Sequence, residues 1–342
     1  MEQLIFANTR YSYRRVTGVE RYANEVISRI GIRVRRIRPN RNLNGWSGHL
    51  WEQSRLPTLI GKDELLWSPA NTGPIFVRNQ IATVHDLSAI EHPEWYRRDF
   101  AIWYAFLIPR LLKTVTRIIT ISNFSKMRMV DLLDVPAEKI TVAPGGVDRA
   151  VFYPVREIEI DRVCASIGVS RPYILMTQPG NPRKNARKVL KAWDIIRQRY
   201  PKLHLVLIGR QNSVFSSIDL PSSPAQLIQV DYVENHELAA LMSGAILFLY
   251  PSEYEGFGLC ALEAMACGTA VITSRAGGLL EAVGGCSYSI DISNLHGFVR
   301  AIEYLLSDSD QRADLAAKGL ERAEKYSWES TATIIENTLT AA

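Results

Sequence analysis

No stretch of this chain stays apolar for the roughly eighteen residues a helix needs to cross a bilayer, so no membrane span is expected. Its four cysteines (Cys164, Cys260, Cys267 and Cys286) show no paired spacing of the metal-binding kind. Three of them fall in segments that read as buried, so reduced core thiols are expected rather than bridges or zinc ligands. The opening MEQLIFANTR lacks the charged region, long apolar core and small-residue cleavage site of a secretory signal, which points to the cytoplasm. Low-complexity tracts are absent, and there is no internal repeat beyond a coarse doubling of the whole pattern.

What is present is an ordinary globular composition, 47% hydrophobic and 22% charged over 342 residues, enough for two domains of about 150 residues each. Charge is uneven. Residues 1–150 hold 22 Lys and Arg against 14 Asp and Glu, and the remainder 18 against 21. A basic half suits a phosphorylated substrate, an anionic membrane surface or nucleic acid. Because no nucleic-acid-binding module is visible, no such partner is expected.

Apolar strand-like runs alternate with helical periodicity through the first half, at 4–8, 64–70, 80–87, 117–122 and 139–144, with helices over 18–30, 98–114 and 123–133 between them. The apolar helix FAIWYAFLIP (100–109) reads as packed and as bent or restarted at Pro109, with contact to a lipid surface as the alternative. A Gly- and Pro-broken stretch at 143–156 marks a boundary, after which a second series begins. Its strands are expected at 173–178, 204–210, 227–233, 246–251 and 270–274, its helices at 184–199, 235–243, 259–267 and 279–283, and the chain from 293 on reads as helical. The fold class is therefore α/β, two doubly wound parallel-sheet domains, with ligands expected in a crevice at the carboxyl ends of the strands. The expected division is 1–152, 153–327 and a closing helix, 328–342, that returns to the first domain.

PSEYEGFGLCALEAMACGTAV (251–271) carries the most chemistry. It follows an apolar strand, turns through Gly256 and Gly258 and enters a helix whose first amides, beginning near Leu259, are free to bind hydroxyl or phosphate oxygens. Glu255 precedes that helix and Glu263 lies on its second turn, a spacing that suits two ends of an extended ligand. In QPGNPRKN (178–185), Arg183 and Lys184 are placed at the start of the next helix, where cations would favour a departing diphosphate in the transition state. RRVTGVERY (14–22) offers Arg14, Arg15 and Gly18, and TVHDLS offers His85 and Asp86 at a strand end.

The Glu255 to Glu263 segment resembles the signature of retaining glycosyltransferases of family 4, which have the two-domain GT-B architecture. LWEQSRLP (50–57), EHPEWYRR (91–98), ITVAPGGVD (140–148) and AGGLLEA (276–282) extend the resemblance, toward a mannosyltransferase-like branch of bacterial surface-polysaccharide and lipopolysaccharide synthesis. It implies that Glu255 contacts the donor sugar, with Phe257 in the same loop, that Glu263 holds the ribose, and that Arg183 and Lys184 meet the diphosphate. Tyr232 and Val233 would line the base, Gly18 would admit the donor phosphates, His85 would meet the acceptor, and Glu281 is a weaker donor-site candidate. The activity implied is transfer of a hexose from a nucleotide-diphosphate sugar, GDP-mannose first and a UDP-sugar second, to a saccharide or lipid-diphosphate-linked saccharide. A nucleotide-sugar epimerase of similar fold is the competing enzyme. No Asp-x-Asp pair is read as holding Mg²⁺ to a diphosphate, so neither metal nor other cofactor is expected, the nucleotide sugar being a co-substrate. Peripheral contact of the basic first domain with the inner face of the cytoplasmic membrane is a further expectation.

Overall fold

Runs such as LLWS and RIIT are apolar on both faces because helices cover both sides of a parallel sheet. In the computed structural model, which describes residues 4–13, 17–43, 45–209, 214–215 and 226–341, these runs become strands of two sheets, one in each of two units. The first unit comprises the chain up to Pro93, Arg98–Gly146 and the residues from Ser327 on; the second comprises Glu94–Arg97 and Val147–Tyr326. The principal crossing thus falls at Gly146, ahead of the expected 152.

In the first unit the order is β1 (Ile5–Asn8), α1 (Gly18–Ile27), β2 (Val34–Ile37), α2 (Trp46–Ser54), β3 (Leu65–Ser68) and β4 (Gln80–Thr83). There follow α3 (Ser88–Glu91), α4 (Arg98–Thr114), β5 (Arg117–Thr120), α5 (Asn123–Leu133) and β6 (Ile140–Val142). The strands pair in the order β2-β1-β3-β4-β5-β6, all parallel. Helix α1 starts at a capping box between Thr17 and Glu20 and ends at Ile27, three residues before the expected Ile30. Pro109 neither stops nor restarts α4, which runs unbroken through it.

The second unit holds α6 (Glu157–Ile167), β7 (Tyr173–Thr177), α7 (Ala186–Arg199), β8 (His204–Ile208), β9 (Leu227–Val230), α8 (Asn235–Ser243) and β10 (Leu247–Tyr250). Then come α9 (Leu259–Ala266), β11 (Val271–Ser274), α10 (Gly278–Val283), β12 (Tyr288–Ile290), α11 (Leu295–Ser307) and α12 (Ser309–Ala323). Its strands pair in the order β12-β11-β10-β7-β8-β9, again all parallel. A core of Ile174, Met176, Trp193, Leu207, Phe298 and Ile302 joins the sheet to α7 and α11.

Helix α13 (Trp328–Thr340) belongs to the first unit. Its Trp328 is fully buried with its ring edge-on to Tyr22 at 5.7 Å, and Thr331 donates to the Pro144 carbonyl at 2.6 Å. Arg29 on the chain just after α1 pairs with Glu329 at 2.9 Å. Gly146 is required here by close approach, since a Cβ on it would lie 2.2 Å from the Trp328 backbone nitrogen. Of the cysteines, Cys164 and Cys267 are buried and Cys260 and Cys286 half-buried, one fewer in the core than expected, and all four are free. Among the described residues no helix is long and apolar enough to cross a membrane.

Candidate active site

Strands β7 and β10 are neighbours, yet the chain leaves β7 toward β8 and β10 toward β11, on opposite sides. That reversal is the switch point where loops part and a ligand can enter in an open parallel sheet. The loop after β7 carries Arg183 and Lys184; the loop after β10 carries Glu255, Gly256, Phe257 and Gly258.

The structure brings Lys184 and Glu255 into direct contact. Both are almost wholly buried, and the Lys184 ammonium donates to Glu255 Oε1 and to the Tyr250 hydroxyl while lying 3.9 Å from the centre of the Tyr250 ring. Ser252 Oγ donates to the same Glu255 oxygen at 3.1 Å. Burial pushes the Glu255 carboxyl up, but the Lys184 and Arg183 charges with the two hydrogen bonds outweigh it and hold the group below its usual range, as a carboxylate. Burial also lowers Lys184, against the attraction of Glu255, and raises the Tyr250 hydroxyl well above its ordinary value.

Arg183 and Lys184 do not stand at a helix start, as the sequence suggested. They lie in a 3-10 turn, Pro182–Lys184, and Asn185 then adopts a left-handed backbone (φ 64°) before α7 begins. The side chain of Asn181 accepts the Arg183 amide at 3.3 Å, and Pro182 removes a donor, so the sequence NPRKN closes a tight turn instead of opening the helix. Glu253 fastens this turn to the second loop: its amide donates to the Arg183 carbonyl at 2.7 Å and its carboxylate accepts from Asn185 at 2.9 Å. Gly278, at the start of α10, donates to the Glu255 carbonyl at 2.9 Å, so the loop after β11 joins the other two.

Gly258 is the N-cap of α9 at φ 112°, a conformation natural only to glycine, and a Cβ there would sit 2.5 Å from Leu279. Leu259 is the first helical residue, where amides have no partner within the helix. Phe257 is buried edge-on against Tyr326 at 5.2 Å, so its side chain anchors the loop. Glu263 is buried one turn into α9. Glu281 lies in α10, and its backbone carbonyl accepts from Arg322 and from Tyr326. Val233 is buried and Tyr232 exposed; they follow β9, which the sheet order places two strands from β7.

In the first unit, Gly18 opens α1, and a Cβ on it would meet nothing within 4 Å, so neither packing nor backbone demands glycine there. Arg14 and Arg15 lie outside the described residues. His85 follows β4, nine-tenths buried, edge-on to Tyr22 at 4.8 Å, with its Nε2 unpartnered. Asp86 Oδ1 accepts from the amide and hydroxyl of Ser88, the first residue of the short α3, at 2.9 and 2.5 Å. Burial lowers the His85 imidazole to about 4, with Asp86 opposing.

A buried neutral histidine binds its proton less readily folded than unfolded, so its contribution is complete above about pH 6.5 and is lost as pH falls toward 4, about 3 kcal/mol in all. His85→Gln is expected to flatten the fall in denaturation midpoint across that window; a slope identical to the parent's would show that His85 does not titrate as its surroundings require.

Tyr250, Ser252 and Glu253 were not singled out in the sequence, although each stands at or just past the end of a strand at the switch point. Position would have found them where residue type did not. Nor did the sequence reading weigh the Asp-x-Asp pair at Asp308–Asp310; Asp308 is the N-cap of α12, accepting from the Gln311 amide at 2.8 Å. Among the described residues no group of three or more His, Cys, Asp or Glu is arranged to hold a metal ion.

Both halves of the chain match known families. Residues 15–151 match the family model "Glycosyltransferase Family 4" and residues 158–322 the model "Glycosyl transferases group 1". O-antigen chain mannosyltransferase B of Escherichia coli is 28% identical over 278 residues, 80% of this chain and 73% of that protein. The D-inositol 3-phosphate glycosyltransferase of Arthrobacter sp. (strain FB24) is 30% identical over 66% of this chain, which spans 55% of that relative. The fold matches sucrose-phosphate synthase of Thermosynechococcus elongatus with a TM-score of 0.74 at 18% identity, over 98% of each chain. Each half of the chain thus matches a glycosyltransferase family model, and the two parallel sheets are those of the GT-B fold.

Proposed function

We propose that this enzyme moves a hexose from a nucleotide-diphosphate sugar to a saccharide or lipid-linked saccharide, with retained configuration, in the assembly of a surface polysaccharide. Mannose from GDP-mannose is the first candidate, supported by the likeness to the O-antigen mannosyltransferase. The observation that carries the reading is the buried Lys184–Glu255 pair at the switch point. An arriving diphosphate would compete with Glu255 for the Lys184 ammonium, and the carboxylate so released would accept from sugar hydroxyls. The bond from the sugar's anomeric carbon to the phosphate oxygen breaks as the acceptor oxygen attacks from the same side, and the departing phosphate oxygen takes the acceptor's proton. Lys184 and Arg183 meet the charge that grows on the diphosphate, so the scheme calls for no metal. Glu263 is assigned to the ribose, Tyr232 and Val233 to the base, the backbone of Gly256, Gly258 and Leu259 and the opening at Gly18 to the donor, and the bare His85 Nε2 to the acceptor hydroxyl.

Incubation with a panel of nucleotide sugars tests the donor. A true donor at a hundred times its dissociation constant stabilises the fold by about 2.7 kcal/mol, seen as a rise in Tm. A UDP-sugar giving the larger rise would displace GDP-mannose. Turnover of the donor without any acceptor would favour the epimerase, and an inverted anomeric centre by NMR would end the same-side scheme.

A further inference from the structure

Helix α4 has two apolar faces and only one is covered. Ala101, Leu107, Ile108, Leu111 and Leu112 are buried within the first unit. Along the opposite stripe, at helical spacing, stand Arg98, Ile102, Phe106, Arg110 and Lys113, with Ile102 59% and Phe106 43% exposed. Helix α2 continues this surface: Trp46 is 55% and Leu50 69% exposed, the Trp46 ring lies 5.3 Å from Trp103, and Trp103 stacks on Phe106 at 5.7 Å. Arg110 lies 3.8 Å from the centre of the Phe106 ring. Single exposed apolar residues stand elsewhere, Phe76 and Ile158 among them, but a contiguous apolar and aromatic patch rimmed by polar residues marks a docking surface.

Charge indicates the occupant. Helix α4 carries Arg98, Arg110 and Lys113 against the single acid Asp99, and Arg117 follows it. The one acid of α2, Glu52, is turned inward, 1% exposed and paired with Arg10 at 3.2 Å. Exposed apolar side chains at the centre, indole rings beside them and arginine at the margin match the layers of a bilayer interface: acyl boundary, carbonyl belt and anionic phosphate.

We propose that the outer faces of α2 and α4 form a lipid-docking surface on which the protein rests against an anionic bilayer without crossing it. Ile102, Leu50 and Phe106 enter the acyl boundary, Trp46 lies at the level of the headgroups, and Arg98, Arg110 and Lys113 meet lipid phosphates. The surface would serve a lipid-linked acceptor, yet it stands on its own geometry, and vesicle binding is read without transfer.

The full chain is sedimented with vesicles of phosphatidylglycerol and phosphatidylethanolamine, and with phosphatidylcholine alone, at low salt. Expected are retention on the anionic vesicles, little on the neutral ones, and a loss on the order of tenfold or more for the exposed-site double variant Leu50→Glu with Ile102→Glu. The variant should keep the parent's Tm and its thermal shift with nucleotide, which separates this proposal from the donor assignment. Wild-type protein left in the supernatant with every vesicle overturns it, and so does a double variant that sediments like the parent. Self-association of the wild type that the variant abolishes would give the surface to a second copy of the chain and would equally overturn it.

Discussion

Lys184→Met is expected to lower sugar transfer by about 10²–10³-fold, the usual loss when a positioned donor to developing charge is removed. The same change leaves the Glu255 carboxylate buried beside Tyr250 and Ser252 without its ammonium, at a cost of about 3–5 kcal/mol in stability. Adding Glu255→Gln should restore much of the stability, because no unpaired charge then remains, but none of the transfer. Denaturant midpoints and initial rates of the four proteins in the cycle separate the two effects. If Lys184→Met transfers at nearly the parent rate, the diphosphate is held elsewhere.

Trp328→Ala should cost about 3–5 kcal/mol, the usual figure for deleting a fully buried indole. The loss is expected in the first unit alone, since Trp328 packs on Tyr22 and its backbone lies against Gly146, all members of that unit. Hydrogen exchange followed by mass spectrometry should show faster exchange in peptides of β1 to β6 and none of that change in β7 to β12. Uniform acceleration would mean that the two units unfold as one body.

The sequence was clearest where physics leaves least choice. Strands such as LLWS and RIIT are apolar on both sides because both sides are covered, and α5 and α8 were placed within a residue because caps and periodicity coincide there. Edge strand β2 was missed: its central residues, Arg35 and Arg36, are exposed, and such a segment has no apolar run to reveal it. Helix α2 was missed because its outward residues Trp46 and Leu50 are apolar, which blurs the contrast between faces on which periodicity depends. Likewise the two faces of α4 read as one packed helix, since composition does not say which apolar face finds a partner. At the site, Glu255 and Lys184 were legible as residues and their contact was not: 71 positions separate them, and only the sheet order makes their loops adjacent.

Helix α13 also bears on how the protein is made. On the ribosome the strands of the first unit emerge early, but the helix that covers Tyr22 and Pro144 is encoded some 180 codons after Gly146, and synthesis of that stretch takes about 10–40 s at ordinary elongation rates. For that interval the nascent first unit carries an open apolar groove, while the second unit, nearly continuous in sequence, can close as it emerges. A chaperone that shields exposed apolar surface would therefore be needed by the half of the molecule that is translated first.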